Sequence, residues 1–271
     1  MFNFLSSKKA NWSEIDVSII VSTGRTGTKF FYSMANQLNG CLAKHEPKPI
    51  GNVQGAKFLK GELTEDELEG FLLKERHAAY KELQSNSMKN YFESNGGLTF
   101  YVEMLHNIFP KLRIAHIIRD PRDYVRSGCS RVDAYGNRKY LNDKNWLFKS
   151  KDLPQDKYFS DWENMDMPER FMWIWNLKNK YVLNASNKLE HIKTFRFEDL
   201  MQESKSKIEM LDFLLFNRYT SKIEEAIHNE QKHQHNATSS FLFPEYENWS
   251  SELKTKLDLH CGDLMKKFNY R

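Results

Sequence analysis

One stretch limits the folds open to this chain more than any other. Val17 Ser18 Ile19 Ile20 Val21 reads as a strand, and it runs through Ser22 Thr23 Gly24 Arg25 Thr26 Gly27 Thr28 Lys29 Phe30 into an amphipathic helix. Gly24 and Gly27 permit backbone angles and close approach that a Cβ opposes. In such a turn successive N–H groups converge with the positive end of the helix dipole, so a phosphate-type anion can replace water there. Arg25 adds a permanent charge with a planar fork of donors. The plainer alternative is a tight strand-to-helix turn that needs glycine for its own geometry.

The rest of the chain continues the alternation. Strand-like segments begin near Val17, Cys41, Asn90, Arg113 and Lys193. Between them lie helical patterns. Phe30, Phe31, Met34, Ala35 and Leu38 share a face that Gly40 is placed to stop, and Thr64 with Glu67 forms a capping box ahead of Leu68, Phe71, Leu72, Ala79 and Leu83. Leu98 to Phe109 reads as a helix ended by Pro110, and Pro168 suits the first turn of a helix carrying Phe171, Ile174, Trp175 and Val182. Ser221 with Glu224, and the series Leu253, Leu257, Cys261, Leu264 and Phe268, give two more helices. Strands separated by helices predict an α/β fold, a central parallel sheet flanked by helices, with functional residues gathered at the carboxyl ends of the strands.

The turn departs from the nucleotide triphosphatase P-loop, G-x-x-x-x-G-K-[ST]. Its glycines are three apart, and Lys29 follows Thr28 instead of preceding a Ser or Thr, so the usual magnesium-holding hydroxyl is out of place. It resembles instead the 5'-phosphosulfate loop of the sulfotransferases that use 3'-phosphoadenosine 5'-phosphosulfate. A second segment carries the same resemblance. Arg113 Ile114 Ala115 His116 Ile117 Ile118 leads into Arg119 Asp120 Pro121 Arg122 Asp123 Tyr124 Val125 Arg126 Ser127, and in that family an Arg at such a strand end and a Ser eight positions later hold the donor's 3'-phosphate. Arg119 and Ser127 have that spacing, and a strand end followed by a helix lets both reach one phosphate. Later matches follow in order. His45 Glu46 Pro47 resembles the E-P element of carbohydrate and bacterial members, Tyr91 to Asn95 a third strand end, Arg196 Phe197 Glu198 Asp199 Leu200 the R-[YF]-E-D-L strand exit, and Cys261 to Met265 with Phe268, Asn269 and Tyr270 the closing helix. The resemblance implies one P-loop-like sulfotransferase domain over residues 1–271.

Composition agrees without deciding. The net charge of +4 suits an anionic donor, and no basic stripe or Cys/His finger spacing points to nucleic acid. The three cysteines Cys41, Cys129 and Cys261 are odd in number and widely spaced, which fits reduced thiols in a cytoplasm. No signal-peptide core or membrane-length run is present, which separates the chain from membrane-anchored Golgi members, and the sequons at Asn11, Asn184, Asn236 and Asn248 read as chance. The segment from Val132 to Met167, rich in polar and aromatic residues, reads either as an acceptor-binding insertion or lid or as an ordinary decorated loop. The sequence does not specify an oligomeric state.

The implied reaction moves a sulfuryl group from the donor to a hydroxyl or amine, leaving adenosine 3',5'-bisphosphate. By the resemblance Arg25 is the cation nearest the leaving oxygen, and because Arg stays protonated its role is electrostatic. Gly24, Thr26, Gly27, Thr28 and Lys29 supply contacts to the 5'-phosphate and sulfate, Arg119 and Ser127 hold the 3'-phosphate, and Lys232 occupies the place of a late basic loop over it. Glu46 is the first candidate for the base that takes the acceptor's proton, His45 the second and Glu93 the third. Family members with a histidine base take it from the third strand region, where this chain has Glu93 and no His. Arg122 and Arg126 flank the phosphate segment as further candidates. His106, His116, Trp173 and Trp175 read as structural, and His233 with His235 lack a third metal ligand; the chemistry needs none. The motif variants suggest a small-molecule or glycan acceptor, a glycan or glycolipid hydroxyl first. The competing readings are a P-loop nucleotide kinase or hydrolase, in which Asp120 ends a Walker B strand, and a non-catalytic nucleotide-binding protein of the same fold.

Overall fold

The computed structural model describes residues 10–134, 146–231 and 242–270. Five strands, β1 (Asp16–Ser22), β2 (Cys41–His45), β3 (Asn90–Ser94), β4 (Leu112–Ile118) and β5 (Ile192–Arg196), begin within a residue of the expected positions. They form one sheet in the order β2-β3-β1-β4-β5. Every pairing is parallel, with Val17 opposite Tyr91 on one side and Leu112 on the other. Parallel strands need long crossovers, and helices supply them. In chain order these are α1 (Thr28–Ala35), α2 (Asn52–Leu59), α3 (Glu65–Glu75), α4 (His77–Ser85), α5 (Leu105–Ile108), α6 (Pro121–Ala134), α7 (Met167–Ser186), α8 (Phe197–Gln202), α9 (Ser204–Leu214), α10 (Thr220–Gln231) and α11 (Ser251–Lys267).

The period-two geometry of β1 explains why it is apolar nearly throughout. Val17, Ile19 and Val21 pack in one layer with Leu68, Leu72 and Leu83, while Ile20 packs in the other with Phe31, Met34 and Met210. All seven residues of this central strand are buried, so both faces are covered. A third apolar cluster joins α7 and α11 to the segment before α7, where Trp146, Phe148, Tyr158 and Trp162 are buried. Trp173 and Trp175 are buried in the same cluster, as expected of core residues. Residues 135–145 of the supposed insertion, together with Lys232, His233 and His235, lie outside the described residues.

Two expected helices are divided, each for a visible reason. The capping box at Thr64 forms, with the Glu67 N–H donating to Thr64 Oγ1 at 3.2 Å and the Thr64 N–H donating to Glu67 Oε2 at 2.8 Å, but the helix it starts ends at Glu75. Arg76 interrupts it. Its guanidinium turns inward and donates from Nε and Nη2 to the two carboxylate oxygens of Glu93, each at 2.7 Å, with both side chains about 2 % exposed or less. The span from Leu98 to Phe109 is likewise two pieces, a 3-10 turn over Gly96–Tyr101 and the short α5. Leu98, Thr99, Phe100 and Tyr101 are all buried, so packing on several sides and the Thr99 hydroxyl on the Gly96 carbonyl set the tighter winding.

Glu93 is therefore tied into the interior of this fold. Besides Arg76 it accepts from the Tyr91 hydroxyl at 2.6 Å and from Asn95 Nδ2 at 2.8 Å, which uses its lone pairs in a closed network. This network gives the third-ranked candidate a structural task. Glu93→Gln and Arg76→Met, each leaving one buried charge without its partner, are expected to destabilise the protein by about 3–5 kcal/mol, measured by urea unfolding. A double replacement by apolar residues should cost less than either alone.

Candidate functional site

The site begins where β1 ends. Ser22 Oγ accepts the Gly24 N–H at 3.1 Å and the Thr26 hydroxyl at 2.8 Å, which folds the chain back on itself. Gly24, Arg25 and Gly27 take left-handed φ values of 93°, 60° and 64°. For Arg25 this conformation costs on the order of 1–2 kcal/mol relative to glycine, a strain of the kind that collects at functional sites. Gly27 precedes α1 without any side-chain cap, so the first-turn N–H groups of Thr28 and Lys29 are not taken by a capping residue. Thr26 is fully buried with its hydroxyl committed to Ser22, so its side chain braces the turn.

The second cluster lies against this loop. Arg119 follows the last residue of β4, and its Nη1 donates to the Arg25 carbonyl at 2.7 Å. The Arg25 Nε donates to Ser127 Oγ on α6 at 2.9 Å. Two segments about a hundred residues apart in sequence thus meet through two direct hydrogen bonds. Arg119 is held in place by the Phe197 ring 4.8 Å from its guanidinium carbon and by the Trp175 indole N–H on its carbonyl at 2.9 Å. Asp123 lies 3.6 Å from its Nη2, and its Nε is buried with no hydrogen-bond partner among the described residues. A buried donor left unpaired costs about 1–3 kcal/mol, which an anion at this position would recover.

The motif residues farther along brace the β4–α6 turn. Glu198 accepts the Asp120 N–H at 2.9 Å and the Tyr270 hydroxyl at 2.9 Å, so the start of α8 and the chain's last described residue clamp the turn carrying Arg119. Arg122 chelates the Asp120 carboxylate and also donates to the Tyr270 carbonyl at 2.7 Å. Arg126 pairs with Glu245 at 3.1 Å. These arginines have protein partners, and Asp120, the residue a Walker B reading needs, is occupied by Arg122. Among the described residues no group of three or more His, Cys, Asp or Glu could hold a metal ion.

Beside the loop opens a cavity of about 680 Å³ lined in part by Ser22, Thr23, Gly24 and Glu46. Glu46 leaves the end of β2 in a left-handed conformation, φ 44°, with its N–H on the Ser94 carbonyl at 3.0 Å and its side chain exposed. His45 turns the other way. Its Nδ1 is 3.3 Å from Ser94 Oγ, whose hydroxyl donates to the Thr28 carbonyl, and its ring stacks on Tyr32 with centroids 5.8 Å apart. It braces β2 against α1 and does not line the cavity. His116 is buried in the sheet between Thr194 and Asn179, and burial lowers its pKa to about 4.

Sequence reasoning did not single out Gly96, Gly97 or Lys178, all of which line the cavity. A Cβ on Gly96 would lie 3.0 Å from the Ser22 carbonyl, so glycine lets the β3 exit pass close to the β1–α1 loop. Lys178 carried a readable signal. It stands seven residues after Phe171 and four after Ile174, a basic residue on the apolar stripe of α7.

No helix among the described residues is long and apolar enough to cross a membrane. No family model and no curated protein sequence matches the chain. Solved structures do. A sulfotransferase from Mycobacterium avium superimposes with a TM-score of 0.57 at 14 % identity, covering 95 % of this chain and 77 % of that one. Another, from Mycobacterium tuberculosis, gives a TM-score of 0.50 at 10 % identity, covering 90 % and 76 %. At such identities the likeness is one of architecture, and the chain has the fold of the sulfotransferases.

Proposed function

We propose that this chain transfers a sulfuryl group from 3'-phosphoadenosine 5'-phosphosulfate to a hydroxyl or amine of an acceptor, as one domain spanning residues 1–271. The observation that carries the reading is the contact between the loop and the Arg119–Ser127 pair, because a donor anionic at both ends needs both clusters in one pocket. The buried, unpaired Nε of Arg119 fits such an anion.

In this reading Arg119 and Ser127 hold the 3'-phosphate, joined by Lys232. The N–H groups from Gly24 to Lys29, with the Thr28 hydroxyl and the Lys29 ammonium, hold the 5'-phosphate and sulfate. Arg25 and Ser127 give up their mutual hydrogen bond for bonds to the donor, and Arg25 then faces the oxygen on which negative charge grows. A loose transition state of this kind depends chiefly on positioning and fixed cations. Glu46, which lines the same cavity as Gly24, accepts the acceptor's proton while the new S–O or S–N bond forms and the bond from sulfur to the bridging oxygen breaks. The segment 132–167 serves as acceptor-binding insertion, supported by Trp146, Leu147 and Phe148 in the cavity wall. Those aromatic faces suit a ring, whether of a sugar or an aryl compound. The three cysteines, all free and buried, fit a cytoplasmic setting.

Purified protein is expected to bind adenosine 3',5'-bisphosphate without added magnesium, as measured by calorimetry, and to move label from the donor to at least one member of a panel of acceptor classes. Magnesium-dependent binding of ATP or GTP indifferent to the 3'-phosphate would instead mark a kinase or hydrolase. Nucleotide binding with no transfer to any class would leave a binding protein of the same fold.

A further inference from the structure

The cavity beside the loop contains one basic side chain that the transfer reaction does not use. Lys178 projects from α7 into a wall made largely of Phe100, Trp146, Phe148, Phe171 and Ile174. It has no hydrogen bond or ion pair among the described residues, and the charge it senses most is Glu46, which lines the same space. Burial lowers its pKa to about 8, and the Glu46 carboxylate opposes that shift. Lys178 is half-buried and opens onto the cavity, and an ammonium set there among aromatic rings without a partner offers a ligand's anion a charge-assisted hydrogen bond. Among the described residues no ion pair joins the two, so the Glu46 carboxylate favours the ammonium without closing on it.

We propose that Lys178 selects acceptors that carry a carboxylate alongside the ring bearing the reactive hydroxyl. The inference rests on the sulfuryl-transfer reading for the word acceptor, while the recognition itself rests only on the cavity. The ring lies between Phe100, Phe148 and Phe171, the carboxylate meets the Lys178 ammonium, and the hydroxyl points toward Glu46 and the loop. Both walls are then satisfied at once. A neutral ring compound would leave the ammonium unpaired, and a cationic one would meet repulsion.

The test uses two matched pairs, each differing by one carboxylate: 4-hydroxyphenylacetate against 4-cresol, and phenyl glucuronide against phenyl glucoside. Binding to the full chain is measured by ligand-detected NMR without donor, and transfer is measured separately with labelled donor. The acid of at least one pair is expected to bind about tenfold or more tightly than its neutral partner, the size of one charge-assisted hydrogen bond. Lys178→Met should erase that preference without lowering the neutral compound's affinity or the thermal midpoint, and Lys178→Glu should reverse it in favour of tyramine. Equal binding of acid and neutral compound in both pairs, or an acid preference that survives Lys178→Met, would overturn the proposal. Lys178-dependent acid binding with no sulfate transfer would uphold this recognition site while removing the transferase reading, so the two can fail separately.

Discussion

Arg119→Ala is expected to weaken adenosine 3',5'-bisphosphate binding by about 10²- to 10³-fold, the consequence of removing a planar, part-buried donor fork from a phosphate. The geometry makes this residue the hinge of the proposed site. It carries its charge at the end of β4, its carbonyl is fixed by Trp175, its guanidinium stacks near Phe197, and one donor has no partner within the described protein. Because Arg119 also donates to the Arg25 carbonyl, the variant will loosen the loop as well. Arg119→Lys separates the two effects: it keeps the charge and loses the fork, and should retain part of the affinity. Ser127→Ala, which removes a single hydroxyl, should cost about tenfold. Calorimetric titration of all three, with thermal midpoints recorded without nucleotide, checks the ranking. Undiminished affinity in a folded Arg119→Ala protein would refute the assignment of the 3'-phosphate site.

The order of strands and helices was legible because the sequence punctuates it. Gly24, Gly27, the Thr64–Glu67 box and Pro168 each mark an element boundary with a residue whose chemistry fits that position, and the strands follow as apolar runs. The two divided helices were not legible, since both depend on distant partners. Nothing near Arg76 announces that Glu93 will draw it into the interior, and once the pair forms, the helix has to turn. The same pair shows why strand-end carboxylates are hard to rank from sequence. Glu46 and Glu93 both sit at or near the ends of neighbouring strands, yet one faces open space and the other is closed in by Arg76, Tyr91 and Asn95. Lys178 was readable in principle, as a charge on an apolar stripe. Its significance needed the cavity, which is assembled from the ends of β1 and β2, the exit of β3 and one face of α7.

Those two carboxylates lead to the second large effect. Glu46→Gln is expected to lower kcat by about 10²- to 10⁴-fold, the range for a positioned general base, while leaving affinity for adenosine 3',5'-bisphosphate unchanged. Glutamine preserves the side chain's shape and cannot accept the proton. A merely structural Glu46 would behave otherwise: its side chain is exposed and forms no ion pair among the described residues, so the substitution would then change little. A series of acceptors whose hydroxyls grow progressively more acidic distinguishes base catalysis from a general loss of fit. An acceptor already ionised needs no base, so the deficit of Glu46→Gln should shrink steadily along the series and vanish at its acidic end. His45→Ala, which removes a brace between β2 and α1 outside the cavity, should show a uniform and smaller loss across the same series. If the deficit tracks acceptor acidity in His45→Ala and not in Glu46→Gln, the proton goes to the histidine, and the second candidate displaces the first.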